Sequence, residues 1–287
     1  MLHRQINALA DSDHYFFVHL DRRFHPAIAP GYLKDPRVHF VENRLKVSWG
    51  GFSVVKATLL LIEEALATDI GFDYFVLMSG QCFPIKSNRY IRDILTKSRG
   101  RLFIDVNPLP SERLEGGGLD KFHYPSPFDA LSWLNKENLR LLGRTVEYKK
   151  IAFKLAKYAY VKLGIKRNIP NGLTPCFGSQ WWALSRDAVR YVLEYSRREK
   201  RIYDFFRYTW APDELFFQTV LYNSPLASSI ENESLWYINW RTNGSPKVLT
   251  LEDFDALSNS PALFARKFES IGSGSLLEKI ESKRRSY

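Results

Sequence analysis

Cysteine is scarce in this chain of 287 residues: two, Cys82 and Cys176, far apart in the sequence. That gives no basis for a disulfide scaffold. No run of eighteen apolar residues occurs, so no segment reads as a helix that spans a bilayer. The first apolar stretch, Tyr15 to Leu20, is too short for a secretory signal and ends in charge. The GxGxxG fingerprint, the P-loop and the G-x-S-x-G elbow are all missing, which removes the usual dinucleotide, phosphate-loop and hydrolase readings. Histidines are few and scattered, and none stands with cysteine at metal-ligand spacing. No internal repeat or low-complexity linker divides the sequence.

What is present is a globular composition, 45% hydrophobic and 15% aromatic, with a formal net charge of +10. A basic balance of that size favours anionic partners. The charge is unevenly spread. Residues 144–167 hold eight Lys/Arg against one Glu, with Ile151, Leu155, Tyr158 and Val161 interleaved at helical spacing. Two readings fit that pattern: a basic amphipathic helix lying on anionic lipid, or a charged solvent face on a helix packed against the body. Nucleic acid is not expected as a partner, because the basic residues cluster in one segment and no RNA- or DNA-binding motif accompanies them.

Along the chain, short apolar runs alternate with helical patterns. His14 to Leu20 reads as a buried strand that delivers Asp21 to a crevice. Val38 to Val41 is a second strand. Phe52, Val55, Leu59, Ile62 and Leu66 mark the buried face of a helix after the turn Trp49-Gly50-Gly51. Phe72 to Met78 is a third strand, Ser79 to Pro84 its loop, and Ser87 an N-cap for the next helix. Arg101 to Asp105 is a fourth strand. Residues 107–127, with prolines on both sides of Gly116-Gly117-Gly118, read as an irregular rim. Trp181 and Trp182 on a strand point to opposite faces, so one is expected inside and the other towards a ligand. A strand at 235–241, a helix at 250–257 and a charged terminal helix complete the pattern. The alternation predicts an α/β fold with a mostly parallel mixed sheet flanked by helices, and a small C-terminal lobe.

The chemistry is expected at Trp210-Ala211-Pro212-Asp213-Glu214-Leu215-Phe216-Phe217-Gln218-Thr219. Pro212 suits the first position of a helix that Leu215, Phe216 and Thr219 root in a core. Asp213 and Glu214 fall in the first turn, where a carboxylate on a rigid element can act as a general base. Acidic residues also favour that turn simply because of the helix macrodipole.

Several stretches taken together, in order, resemble the core-2/I-branching β-1,6-N-acetylglucosaminyltransferases and the related peptide O-xylosyltransferases. They are Phe17-Val18-His19-Leu20-Asp21, Ser48-Trp49-Gly50-Gly51, Leu77 to Lys86, Gly178-Ser179-Gln180-Trp181-Trp182, Pro212 to Phe217, Asn239-Trp240-Arg241 and Phe264-Ala265-Arg266-Lys267-Phe268. The last looks most like the xylosyltransferase branch. The resemblance implies a GT-A-like domain over 1–287, with a nucleotide-binding part at 1–106 and an acceptor and catalytic part at 107–287. It implies an inverting transfer of N-acetylglucosamine or xylose from a UDP-sugar donor to a glycan or glycolipid acceptor, without cofactor or metal. Glu214 becomes the general base. Asp21, Ser48 and Trp49 fall to the donor, with Arg241 and Lys267 as cations for its diphosphate. Gln81, Cys82, Lys121, Trp181, Trp182 and Asp213 fall to the acceptor. Many relatives carry Asp where this chain has Cys82, and a neutral thiol cannot replace a carboxylate as acceptor. An inactive carbohydrate-binding homologue is therefore the alternative. The expected location is cytoplasmic, peripheral at the inner face of a bacterial membrane.

Overall fold

The computed structural model describes residues 1–24, 35–126, 145–170, 172–241 and 245–285, with the backbone alone at 145–153. The first half holds α1 (Leu2–Leu9), β1 (Phe16–Val18), β2 (Val38–Phe40), α2 (Ser53–Leu66), β3 (Tyr74–Val76), β4 (Cys82–Pro84), α3 (Asn88–Lys97), β5 (Leu102–Ile104), β6 (Asn107–Pro108) and α4 (Asp120–His123). Next come α5 (Thr145–Lys162), β7 (Cys176–Phe177), β8 (Trp182–Ser185), α6 (Arg186–Arg198), α7 (Lys200–Arg207) and α8 (Phe216–Tyr222). The chain ends with β9 (Ile230–Glu231), β10 (Trp236–Ile238), α9 (Phe254–Asn259), β11 (Phe264–Arg266) and α10 (Gly274–Arg285).

The fold is α/β, but its strands do not form one mostly parallel sheet. Among the described residues four small sheets share the work: β1-β2, β3-β8-β5-β9, β10-β11-β4 and β6-β7. Pairing is parallel in β1-β2, β5-β9 and β10-β11, and antiparallel in β3-β8, β5-β8, β4-β11 and β6-β7. The departure centres on β8. It lies between β3 and β5 and runs against both neighbours. The stretch 79–84, expected as a loop, contains β4, whose partner β11 lies near the far end of the sequence.

The apolar spacing accounts for the helices. In α2, Phe52, Val55, Leu59 and Ile62 are buried as their three- and four-residue intervals require. Ser87 Oγ accepts the Tyr90 amide and starts α3, and Ser185 Oγ accepts the Ala188 amide and starts α6. Helix α8 is buried on all sides from Phe216 to Leu221. Three cores result. The first joins α2, α6 and α8 to one face of β5 and β8 through Phe52, Ile104, Trp182, Val189, Phe206 and Phe216. The second covers the other face with Phe103, Trp181, Ala183, Trp236 and Phe264. The third gathers Phe83, Leu249, Leu257, Phe268, Leu276 and Ile280 around α9 and α10. The outermost helices are stitched together. Arg4 donates to both Glu281 carboxylate oxygens at 2.6 and 3.0 Å, and Arg284 donates to the carbonyls of Ala8 and Lys86 and to Asn88 Oδ1.

Candidate active site

Glu214 stands on a turn whose backbone is fixed from two sides. Ala211 is left-handed, with φ 50°, and is held there because its amide donates to the Gly50 carbonyl at 3.1 Å. Gly50 itself has φ +75°, and a Cβ on it would lie 2.7 Å from the Trp210 ring, so this approach requires glycine. Trp49 packs edge-on against Trp210 at 5.3 Å. Pro212–Glu214 then forms a 3-10 turn, and α8 begins at Phe216 rather than at Pro212. On the other side the Glu214 carbonyl accepts the Gly178 amide at 2.9 Å. Gly178 crosses so close to β5 that a Cβ would fall 1.6 Å from the Asp105 carbonyl oxygen. The next residue is tied twice more: the Ser179 amide donates to Asp105 Oδ2 at 3.1 Å, and Gln218 Nε2 donates to the Ser179 carbonyl at 2.7 Å.

The Glu214 carboxylate is 43% exposed, and its Oε2 lies 3.3 Å from Lys121 Nζ, which is 18% exposed. Lys121 comes from α4, and its neighbour Asp120 accepts Lys157 Nζ of α5 at 2.7 Å. Arg167 braces the same helix, donating to the Lys121 and Phe205 carbonyls and to Thr209 Oγ1 while lying over the Phe205 ring at 4.4 Å. Burial lowers the Arg167 guanidinium to about 10, which leaves it charged at neutral pH. Beside Glu214, Asp213 Oδ1 is enclosed with no hydrogen-bond partner. Burial first, and then the charge of Glu214, push the Asp213 carboxyl up to about 7.

A chain of contacts runs from this turn to Asp21. The Asp21 carboxylate accepts the Val47 amide at 3.0 Å, just before Ser48 and Trp49. Burial works to raise Asp21, but hydrogen bonds from the Arg23 side chain and amide and from Val47 hold it down at about 2. Ser48 is buried, its amide bonded to Ser53 Oγ, so it shapes the loop; Trp49 is 48% exposed.

Arg241 and Lys267 follow the same end of the sheet β10-β11-β4, because Ile238 of β10 is in parallel register with Arg266 of β11. Lys267 Nζ is paired with Glu269 at 2.9 Å, and Arg241 is exposed, its amide bonded to the Ser245 carbonyl. Gln81 belongs to this end too, its carbonyl accepting the Phe268 amide.

Three expectations need correction. Cys82 is fully buried opposite Arg266 in the sheet, so its thiol has no surface to offer an acceptor; burial raises its pKa. Trp182 lies in the first core against Phe217, so it shows no face to a ligand. Trp181 is 6% exposed in the second core, and its ring is covered by the Arg266 guanidinium at 4.3 Å. Both tryptophans are inside because both faces of the sheet are packed.

Arg266 was missed. Its Nε is buried with no hydrogen-bond partner, and burial lowers its pKa. The signal was its place beside Lys267 in Phe-Ala-Arg-Lys-Phe; what hid it was a strand buried on both faces. Two Asp-x-Asp triplets, 11–13 and 253–255, are engaged elsewhere: Asp11 and Asp13 pair with Arg92, and Asp253 caps its own turn and binds Lys247. Among the described residues no three His, Cys, Asp or Glu side chains gather as a metal site would need.

A half-exposed carboxylate and an ammonium thus meet on a turn braced from two sides. The chain belongs to the Core-2/I-branching enzyme family of glycosyltransferases, whose sequence pattern matches residues 1–258. It is similar to Xylosyltransferase 2 of Canis lupus familiaris, 27% identical over 304 residues, covering 98% of this chain and 31% of that protein. Xylosyltransferase 1 of Homo sapiens is 26% identical over 304 residues, with 98% and 28% covered. Xylosyltransferase oxt of Drosophila melanogaster is 26% identical over 305 residues, with 98% and 31% covered. The chain spans about a third of the length of these relatives.

Proposed function

We propose that this domain is a metal-independent, inverting glycosyltransferase of GT-A type that uses a UDP-sugar, with xylose favoured over N-acetylglucosamine by the names of its relatives. The observation that carries the reading is the pairing of Glu214 with Lys121 on a turn that two glycine crossings hold rigid. In this reading a Glu214 oxygen takes the proton of the acceptor hydroxyl while that oxygen bonds to the anomeric carbon from the face opposite the nucleotide. The bond from the anomeric carbon to the diphosphate breaks, and its electron pair leaves on the phosphate oxygen. Arg241, Lys267 and Arg266 are the cations to receive that charge, in the role a metal has elsewhere. Asp21, already committed to Arg23 and Val47, fixes the loop bearing Trp49 at the donor's nucleoside end. The acceptor is a hydroxyl of a glycan or glycosylated carrier.

The test is a calorimetric titration with UDP, UDP-xylose, UDP-N-acetylglucosamine and GDP-sugars in EDTA, followed by turnover assays. Uridine-selective binding that weakens in Lys267→Ala supports the donor site. Glu214→Gln should retain that binding and lose turnover by ~10²–10⁴-fold. Full turnover in that variant, or a strict need for a divalent cation, would sink the mechanism. A second reading rests on Cys82 facing Arg266, where a carboxylate would have paired the guanidinium: a carbohydrate-binding domain without turnover. Donor binding with no transfer, in both the natural chain and Cys82→Asp, would favour it.

A further inference from the structure

Along the described side chains of α5, from Lys154 onward, three large apolar residues face outward. Leu155, Tyr158 and Val161 are 65%, 63% and 55% exposed, and in the turn that follows Leu163 and Ile165 are 71% and 44% exposed. The inward side is formed by half-buried Ala156, Lys157 and Tyr160. At about 100° per residue, Lys154, Leu155, Tyr158, Val161 and Lys162 share one outward sector. Lys166 is exposed just beyond it. No acidic side chain stands on this stretch: from 154 to 167 the sequence has none. The helix is held by its other side and its end, through Lys157 to Asp120, the Ile165 amide to the Tyr160 carbonyl, and the Arg167 amide to the His123 carbonyl.

A row of large apolar side chains in water is costly unless something covers it. Interleaved lysines decide what. Two copies of this face would set ammonium against ammonium, whereas an anionic bilayer accepts both parts. The acyl boundary takes leucine, isoleucine and valine, tyrosine suits the headgroup level, and lysines extend to anionic headgroups. We propose that the outward face of α5, with the turn through Lys166, seats on an anionic lipid bilayer. The Asp120–Lys157 contact places that surface beside α4, whose Lys121 reaches Glu214. The proposal does not depend on the transfer chemistry, since binding is read without turnover.

The experiment is co-sedimentation of the whole chain with vesicles of phosphatidylcholine, with and without phosphatidylglycerol. Binding is expected to the anionic vesicles, at least tenfold weaker to the neutral ones, and weaker as salt rises. Leu155→Ser/Tyr158→Ser/Val161→Ser changes only exposed positions, so its thermal stability should match the natural chain while partition falls about tenfold or more. Lys154→Gln and Lys162→Gln should each cost about fivefold. Three results would overturn the proposal: no pelleting of the natural chain with anionic vesicles, equal pelleting of the triple serine variant, or self-association that the triple variant abolishes without any vesicle binding.

Discussion

Lys121 reaches Glu214 from a different helix, and its removal tests whether the pair acts as one unit. Lys121→Met leaves the carboxylate without its ammonium while touching neither Arg241 nor Lys267. Turnover is expected to fall about ten- to a hundredfold with donor affinity unchanged, as steady-state assays and titration can separate. Asp213 makes a different prediction. Its folded pKa, about 7, lies above the ordinary 3.8. Between those values the folded chain holds a proton that the unfolded chain has released, so stability falls as pH rises through that window and stays reduced above it. Asp213→Asn has no such proton, so its melting temperature should gain on the natural chain by about 4–8 °C between pH 4 and pH 8. An equal gap at both pH values would show that the buried carboxyl is not titrating. Asp21 has the opposite sign: its pKa is held down at about 2. Its contribution is full above about 4 and is lost as pH falls towards 2, so Asp21→Asn should destabilise at pH 7 and match the natural chain at pH 2.

Between elements, the crossings of single glycines matter most. Gly178→Ala drives a methyl group into the Asp105 carbonyl, and denaturant unfolding should show a loss of about 3 kcal/mol or more, or no folded protein. Gly80→Ala meets nothing within 4 Å and has an ordinary φ, so it should be close to neutral in the same measurement. Neither contrast is visible in the sequence, where both glycines sit in short polar turns. Local signals were legible: the caps Ser87 and Ser185, the buried face of α2, and the turn opened by Pro212. Signals that depend on distant chain were not. Strand β4 ends in proline and reads as a loop until β11 supplies its ladder. The spacing in α5 shows that the helix is two-sided, but not which side the body covers. Arg266 looks like one more cation beside Lys267 until Trp181 is brought beneath it.

At the scale of the whole molecule, the site depends on contacts between segments that the sequence keeps far apart: 21 with 47, 50 with 211, 178 with 214, and 121 with 214. The ordered motifs named most of these segments but not that of Lys121, and packing alone brings their residues into contact. The same holds for the ends of the described chain. Arg284 is largely buried and serves three acceptors on α1, on α3 and before it. Arg284→Met should lower stability by about 2–4 kcal/mol by leaving two carbonyls and an amide oxygen unserved. A melting curve that lost cooperativity instead of shifting would mean that α10 detaches separately.

The pairing of Arg4 with Glu281 and of Ala8 with Arg284 also sets a direction: α1 and α10 run side by side with the same polarity. Met1 therefore lies about one length of α1, roughly 12 Å, from the end of α10. A short flexible splice across that gap would turn the chain into a ring without disturbing either helix. Cutting the ring at Gly100, in the turn between α3 and β5, would give the same cores a different order of elements.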